Sequence, residues 1–318
     1  MSESVFTYEL LDWIDEETLD WSTLSSNPNA IQMLKSNPCK IDWVNLSSNP
    51  NAISLLERNI DKVDWENLSS NPNAIRLLER NLDKVCWYRL SKNENAIQIL
   101  ENNLDKLSWN NLCLNANAVH ILEQNQEKLF WDFVCRNPNA TNLLQKNIHK
   151  ITDAFSLNPN ALHILKNNIH KICLYFLSSN PNAISMLKEH PCCIRWDMLS
   201  YNINAIELLE ENESRISFRN LSTNLNPKAI MLIKKNLNRR INWQALSSNP
   251  NAIELLKNNR KKITMRSFSA NPSIFKKKVN YKLLTDNMNI IREELMMKCL
   301  HPKRLERWIE LGGDIDDF

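Results

Sequence analysis

Glycine is almost absent from this chain: two residues in 318. A Gly-rich loop whose backbone amides cradle a phosphate therefore has no material to be built from, and few flexible linkers are expected. Any run of about 18 apolar residues is missing too, so no membrane-spanning helix and no membrane partner are expected. The opening residues Met1–Phe6 lack the basic and apolar regions of a secretion signal. Eight cysteines, at positions 39, 86, 113, 135, 173, 192, 193 and 299, form no Cys-x-x-Cys pair. They read as reduced thiols of a protein that is not secreted. No pairing of His with a repeated carboxylate or serine suggests acid–base or nucleophilic work. An enzyme, a cofactor and a small-molecule substrate are accordingly not expected.

What the sequence has instead is a repeat. Asp64-Trp65-Glu66-Asn67-Leu68-Ser69-Ser70-Asn71-Pro72-Asn73-Ala74-Ile75 returns 22 positions earlier as Asp42-Trp43-Val44-Asn45-Leu46-Ser47-Ser48-Asn49-Pro50-Asn51-Ala52-Ile53. A fixed period of this size marks a repeat array. Within one unit, Asp64 is placed to cap a first short helix carrying Trp65 and Leu68 on one face. Asn71-Pro72 then reads as N-cap and first position of a second helix, with Ala74, Ile75, Leu77 and Leu78 at helical spacing. Asn81 reads as a left-handed stop. Helices this short are marginal alone, so neighbours must supply the burial. The expected fold is all-α: a solenoid of about twelve helix-turn-helix units.

The leucine column runs Leu24, Leu46, Leu68, Leu90, Leu112, Val134, Phe155, Leu177, Leu199, Leu221, Leu246 and Phe268. Ahead of it stand Trp21, Trp43, Trp65, Trp87, Trp109, Trp131, Trp196 and Trp243, with Thr152, Leu174, Phe218 and Met265 in the other units. Strict spacing favours these tryptophans as structural core over stacking platforms for nucleic-acid bases. One residue is deleted near Thr152–Phe155, and Leu225-Asn226 reads as an insertion ahead of Pro227, with another near Arg239. Residues 1–20 are expected to cap the array at its start, 21–278 to form it, and 279–318 to cap its end. In that last stretch His301-Pro302 opens a helix that Gly312-Gly313 ends.

Charge divides the chain. Residues 1–159 hold 14 Lys and Arg against 21 Asp and Glu, whereas 228–282 hold 14 basic residues against Glu254 alone. Lys234, Lys235, Arg239, Arg240, Arg260, Lys261, Lys262, Lys276, Lys277 and Lys278 dominate that stretch. It reads as a solvated face, a site for an acidic partner, or a nucleic-acid contact. Asparagines at both helix boundaries read as caps, or as an amide ladder for a bound peptide backbone. His190, Cys192 and Cys193 form the tightest His/Cys cluster, but adjacent cysteines do not readily share one tetrahedral ion, and no metal site is expected.

The unit W-x-x-L-S-x-N-P-N-A-I-x-L-L-x-x-N-x-x-K-I, held in order by Trp43, Leu46, Asn49, Pro50, Asn51, Ala52, Ile53, Leu55, Leu56, Asn59 and Lys62, resembles a repeat of proteins from giant DNA viruses of amoebae, the mimivirus-like group. The resemblance spans roughly Trp21 to Phe268, and the ending from His301 to Phe318 is similar to a C-terminal signature of such proteins. It implies a viral repeat protein made in the host cytoplasm, and brings no catalytic residues. Exposed positions expected to vary on the constant frame are Ser54, Arg76, Gln98, His120, Asn142, His163, Ser185, Glu207, Met231 and Glu254. They suggest a non-enzymatic scaffold for a protein partner. An RNA- or DNA-binding array using 228–282, and a structural part of a virion or viral factory, are the alternatives.

Overall fold

The computed structural model describes residues 6–311. They fall into two compact units, one of residues 12–274 and one of 6–11 with 275–311. The larger unit is the all-α repeat array. Each repeat opens with a short helix, such as Trp43–Ser47 or Trp65–Ser69. A turn follows, then a second helix such as Ile53–Glu57 or Ile75–Glu79. A loop, usually a single 3-10 turn such as Ile60–Lys62, leads to the next repeat. The leucine column from Leu24 to Phe268 is fully buried in all twelve repeats, as is the alanine column from Ala30 to Ala252, which ends in Ile274.

What joins neighbours is polar. Asn49 is buried, and its Nδ2 donates to Ser25 O at 3.0 Å and Asn27 O at 2.8 Å in the preceding repeat. Its Oδ1 accepts from Asn51 N within its own turn. Asn71 repeats the arrangement on Ser47 O and Asn49 O, and Asn180 on Ser156 O and Asn158 O. A serine column adds a second clamp: Ser47 Oγ accepts the Asp64 N–H at 3.0 Å and donates to Trp43 O at 2.7 Å. Side chains of the second turn asparagine bind across as well, Asn51 to Pro28 O and Asn73 to Pro50 O. Among the described residues no buried side-chain nitrogen or oxygen lacks a partner. A buried amide left unpaired would cost about 1–3 kcal/mol, so this satisfaction is what permits so polar an interior.

The same bonds join the last repeat to the first. Asn27 Nδ2 donates to Ser269 O at 3.0 Å and Asn271 O at 2.9 Å. Asp20 N donates to Ser269 Oγ at 2.9 Å, and Asn29 Nδ2 to Pro272 O at 2.9 Å. The solenoid of twelve repeats therefore closes into a ring. Head-to-tail units close when their rotations sum to a full turn, here about 30° per repeat. The twelfth repeat is assembled from both ends of the unit. Residues 265–274 give its first helix and turn, while the 3-10 turn Glu16–Thr18 and buried Leu19 give its loop. Trp13 packs on Phe268, ring centroids 5.7 Å apart.

Three local expectations change. The Asn-Pro-Asn segment is mostly a turn, and the second helix starts after it with an alanine at the N-cap position and no side-chain cap. Second helices end without a left-handed residue: Asn59 has φ −132°, and its Nδ2 donates back to Leu55 O at 2.9 Å. Asn81 does the same to Leu77 O. The insertion is Pro227-Lys228, because Asn226 still occupies the place of Asn51, donating to Ile203 O. It lengthens that second helix to Pro227–Lys235, with Asn226 as a true cap. The deletion in the seventh repeat is absorbed by tightening its first helix into a 3-10 turn, Asp153–Leu157, so Asn158 still reaches Cys135 O and Asn137 O.

In the smaller unit, β1 (Phe6–Leu10) pairs antiparallel with β2 (Phe275–Val279), Phe6 opposite Val279 and Leu10 opposite Phe275. Lys278 Nζ reaches Glu9 Oε1 at 2.7 Å, and Lys277 Nζ sits 3.5 Å from the centroid of the Phe6 ring. Helices Tyr281–Cys299, capped by Asn280, and Pro302–Glu310 follow. The array thus begins at 12 and ends at 274, not at 21 and 278, and a closed ring has no ends to cap. Residues 12–20 belong to the ring itself. The expected Gly312-Gly313 helix stop lies outside the described residues.

Candidate functional site

A ring needs wedge-shaped repeats, and the edge where neighbours approach most closely faces its axis. First helices of adjacent repeats pack side by side, whereas second helices are in sparser contact. Cross-repeat bonds to backbone follow the first-helix edge: Asn67 Nδ2 to Val44 O, Asn111 Nδ2 to Tyr88 O and Asn220 Nδ2 to Asp197 O. First helices therefore line the inside of the ring. With helix axes about 8–10 Å apart and helices about 10–12 Å thick, twelve of them surround a bore on the order of 20 Å across.

The bore is lined by the residues that follow the tryptophan column, and these differ from repeat to repeat. Val44 is 52% exposed, Tyr88 62% and Tyr175 42%; Tyr201, 43% exposed, stands five places after Trp196, in the turn that closes its helix. Between them stand Glu66, Asp132, Asp197, Arg219 and Arg266, all exposed. The carboxylates fall in the third to ninth repeats and the two arginines in the tenth and twelfth, so both signs of charge are present in the bore. Tyrosine with asparagine, serine and arginine gives large contact area at low entropic cost, a composition common at protein-binding surfaces. The sequence reading placed variability on the second helices, at positions such as Arg76, Gln98 and Met231, which are indeed exposed. It passed over the position after each tryptophan, whose signal was variability beside a constant column.

The tryptophans are not core in the sense expected. Trp21, Trp43, Trp65, Trp87, Trp109, Trp131, Trp196 and Trp243 are all half-buried, whereas the leucine three residues on is sealed. Each tryptophan begins its helix beside the loop that leads to the next repeat, and in six of the eight a cation from that loop covers its open face. Lys62 Nζ lies 4.8 Å from the Trp43 centroid, Lys84 5.1 Å from Trp65, and Lys106 5.1 Å from Trp87. Lys40, Lys128 and Arg215 do the same over Trp21, Trp109 and Trp196. At these six the indole is held between its helix and a cation, which closes the face on which a base would stack.

The asparagine ladder exists as well, but its donors are filled by the neighbouring repeat's carbonyls. It is the inter-repeat clamp, so no row of amides stays open for a bound peptide backbone.

The basic stretch does not act as one block. Lys234, Lys235, Arg239, Arg240, Arg260, Lys261 and Lys262 are exposed on two consecutive repeats of the ring. Of these, Arg260 lies over the Trp13 ring at 5.2 Å and donates from Nε to Lys257 O. Lys276, Lys277 and Lys278 belong to β2 of the smaller unit, where Lys277 and Lys278 are taken up by Phe6 and Glu9.

Cysteine chemistry is quiet. Cys113 and Cys135 replace the clamp serine in two repeats and are buried, which pushes both thiols up. The free thiols of Cys192 and Cys193 lie 3.6 Å apart near the surface, and the hydrogen bond between them raises Cys193. Among the described residues no group of three His, Cys, Asp or Glu side chains is placed to hold a metal ion. No described helix is long and apolar enough to cross a membrane. Comparison with models of protein families, with curated proteins and with solved structures finds no match to this chain.

Proposed function

We propose that the protein is a non-enzymatic ring scaffold that binds a protein partner through the face lined by its first helices. One observation carries this reading: a polar frame repeated twelve times holds, in its bore, a set of exposed side chains that is not repeated. A frame that only had to persist would have no need of that variation. The partner is a protein segment, since tyrosine, amide and mixed-charge contacts suit polypeptide better than a phosphate backbone. The repeat resemblance supports a viral protein acting in the host cytoplasm, within a viral factory or a virion.

The test is affinity capture from infected cells, with and without nuclease. Wild type is compared with a variant carrying Tyr88→Val, Tyr175→Ser and Tyr201→Ser, and with one altered at Arg76, Gln98 and Met231. Proteins lost only from the bore variant support the reading. Capture that survives the bore variant and fails after nuclease overturns it.

A second reading has its own observation. Six cations on consecutive repeats, Lys234, Lys235, Arg239, Arg240, Lys261 and Lys262, are exposed, and none pairs with a carboxylate among the described residues. This arc fits a polyanion, and binding to RNA or DNA through it would fall steeply with salt.

A further inference from the structure

Resting on the reading of the bore as the binding face, we infer that the fourth repeat carries a pocket for an anionic group, carboxylate or phosphate, on a segment of the bound protein. The fourth repeat breaks the frame at two adjoining positions. Where other repeats place Asn45, Asn67 or Asn111 to bond across to the preceding repeat, this one has Arg89. Where its neighbours place Ser48 and Ser70, which bond their own helices, it has Lys92. Arg89 thus stands in the helix Trp87–Leu90 and Lys92 three residues on, in the turn that closes it.

They line a cavity of about 430 Å³ together with Tyr88, Ser70, Asn93 and Asn111. Arg89 is partly committed: its Nε and Nη2 both donate to Glu66 Oε1, at 3.2 and 3.1 Å. That contact uses two of five guanidinium donors and holds the group extended along the pocket. The Lys92 side chain makes no hydrogen bond or ion pair with any described residue, and the exposed Tyr88 ring forms a wall. A planar fork beside a point cation is the arrangement that recognises an oxyanion. Asn111 spends one amide hydrogen on Tyr88 O and keeps the second for a remaining oxygen, and the cavity falls in the size range of ligand pockets.

Binding is measured by anisotropy with a fluorescein-labelled hexapeptide in three forms: phosphoserine, glutamate and serine at the central position. Inorganic phosphate serves as competitor. The variants R89N and K92S install residues that other repeats carry at the same positions, so the frame is preserved, which circular dichroism checks. We expect the phosphoserine or glutamate peptide to bind the full chain saturably, and R89N/K92S to lose about tenfold or more in affinity. E66Q, which frees Arg89, should bind about threefold tighter. Preference for one charged peptide names the source of the anion, and competition by phosphate supports the site. No saturable binding of either charged peptide up to about 1 mM, or binding unchanged in R89N/K92S, overturns the proposal. If the pocket fails while the tyrosine variant still loses its captured protein, the scaffold reading stands without it.

Discussion

The ring and the terminal unit are made from the same chain by opposite means. In the ring, apolar columns are sealed and every buried amide is paired. In the Tyr281–Cys299 helix, Met288, Ile291, Leu295 and Met297 are each more than half exposed. The ring helices are only four to nine residues long, far below what is stable alone, yet they are the buried ones. The difference teaches where stability lives here. It does not come from helix length or propensity, but from each repeat finding the same partner on both sides. Closure extends that to every repeat, so the ring has no frayed terminal unit.

The comparison breaks most visibly in the sealed columns. Leu68→Ala should cost about 2–5 kcal/mol, since the side chain is fully buried and its neighbours are fixed by the clamps. Leu295→Ala in the terminal helix should stay within about 0.5 kcal/mol. Both are read from denaturant melts of the full chain, and equal costs would end the distinction between the two units.

Closure is tested next. Asn71→Ala strips its partner from Ser47 O and Asn49 O, and should cost about 2–4 kcal/mol. Asn27→Ala does the same to Ser269 O and Asn271 O across the ring junction. In a closed ring the two losses are equal within error. In an open array the amide of Asn27 would have no preceding repeat to bind, and its removal would be almost silent.

Most of this was legible because the period forces it. Leu24 to Phe268 and Ala30 to Ile274 could be read as buried from spacing alone, and each is. The turn asparagines could be located but not assigned. A side chain 22 residues from its partner carries no local signature of a hydrogen bond, so capping was the nearest explanation. Closure was hidden for a different reason. It depends on the small rotation between repeats, which sequence spacing does not encode, and on Glu16–Leu19 standing in for a loop whose sequence differs from the other repeats. The arginine–lysine pair of the fourth repeat was visible in the sequence as a departure from the pattern, but its place in the bore was not.

Tryptophan gives a smaller and more discriminating effect. A half-buried indole under a lysine loses less on truncation than a sealed side chain, so Trp65→Ala should cost about 1–3 kcal/mol, below Leu68→Ala. Lys84→Gln should cost under about 1 kcal/mol while increasing quenching of indole fluorescence by acrylamide. A tryptophan loss larger than the leucine loss would restore the indoles to the core.

The smallest effect concerns acid. Burial alone would raise the Asp42 carboxyl, but the Ser22 hydroxyl, the Asn45 N–H and side-chain amide, and the Val44 N–H outweigh it and hold the group below the usual carboxylate range. Ser22 Oγ donates to Oδ2 at 2.6 Å, and Asn45 N to Oδ1 at 3.0 Å. A carboxyl depressed in the folded state binds its proton less readily there than in the unfolded chain. Its contribution is therefore present above the unfolded value, about 3.9, and is lost as pH falls through the folded one. The group is only part-buried, so solvent screens the effect and the expected change is slight. Asp42→Asn keeps the cap acceptor, so it should leave stability at neutral pH nearly unchanged and flatten the melting profile only below about pH 4. Ser22→Ala, which removes the shortest of these bonds, should move the same acid limb in the same direction. A profile for Asp42→Asn that matches wild type throughout the acid range would mean that the bonds between the first two repeats hold the carboxyl no more tightly than water does.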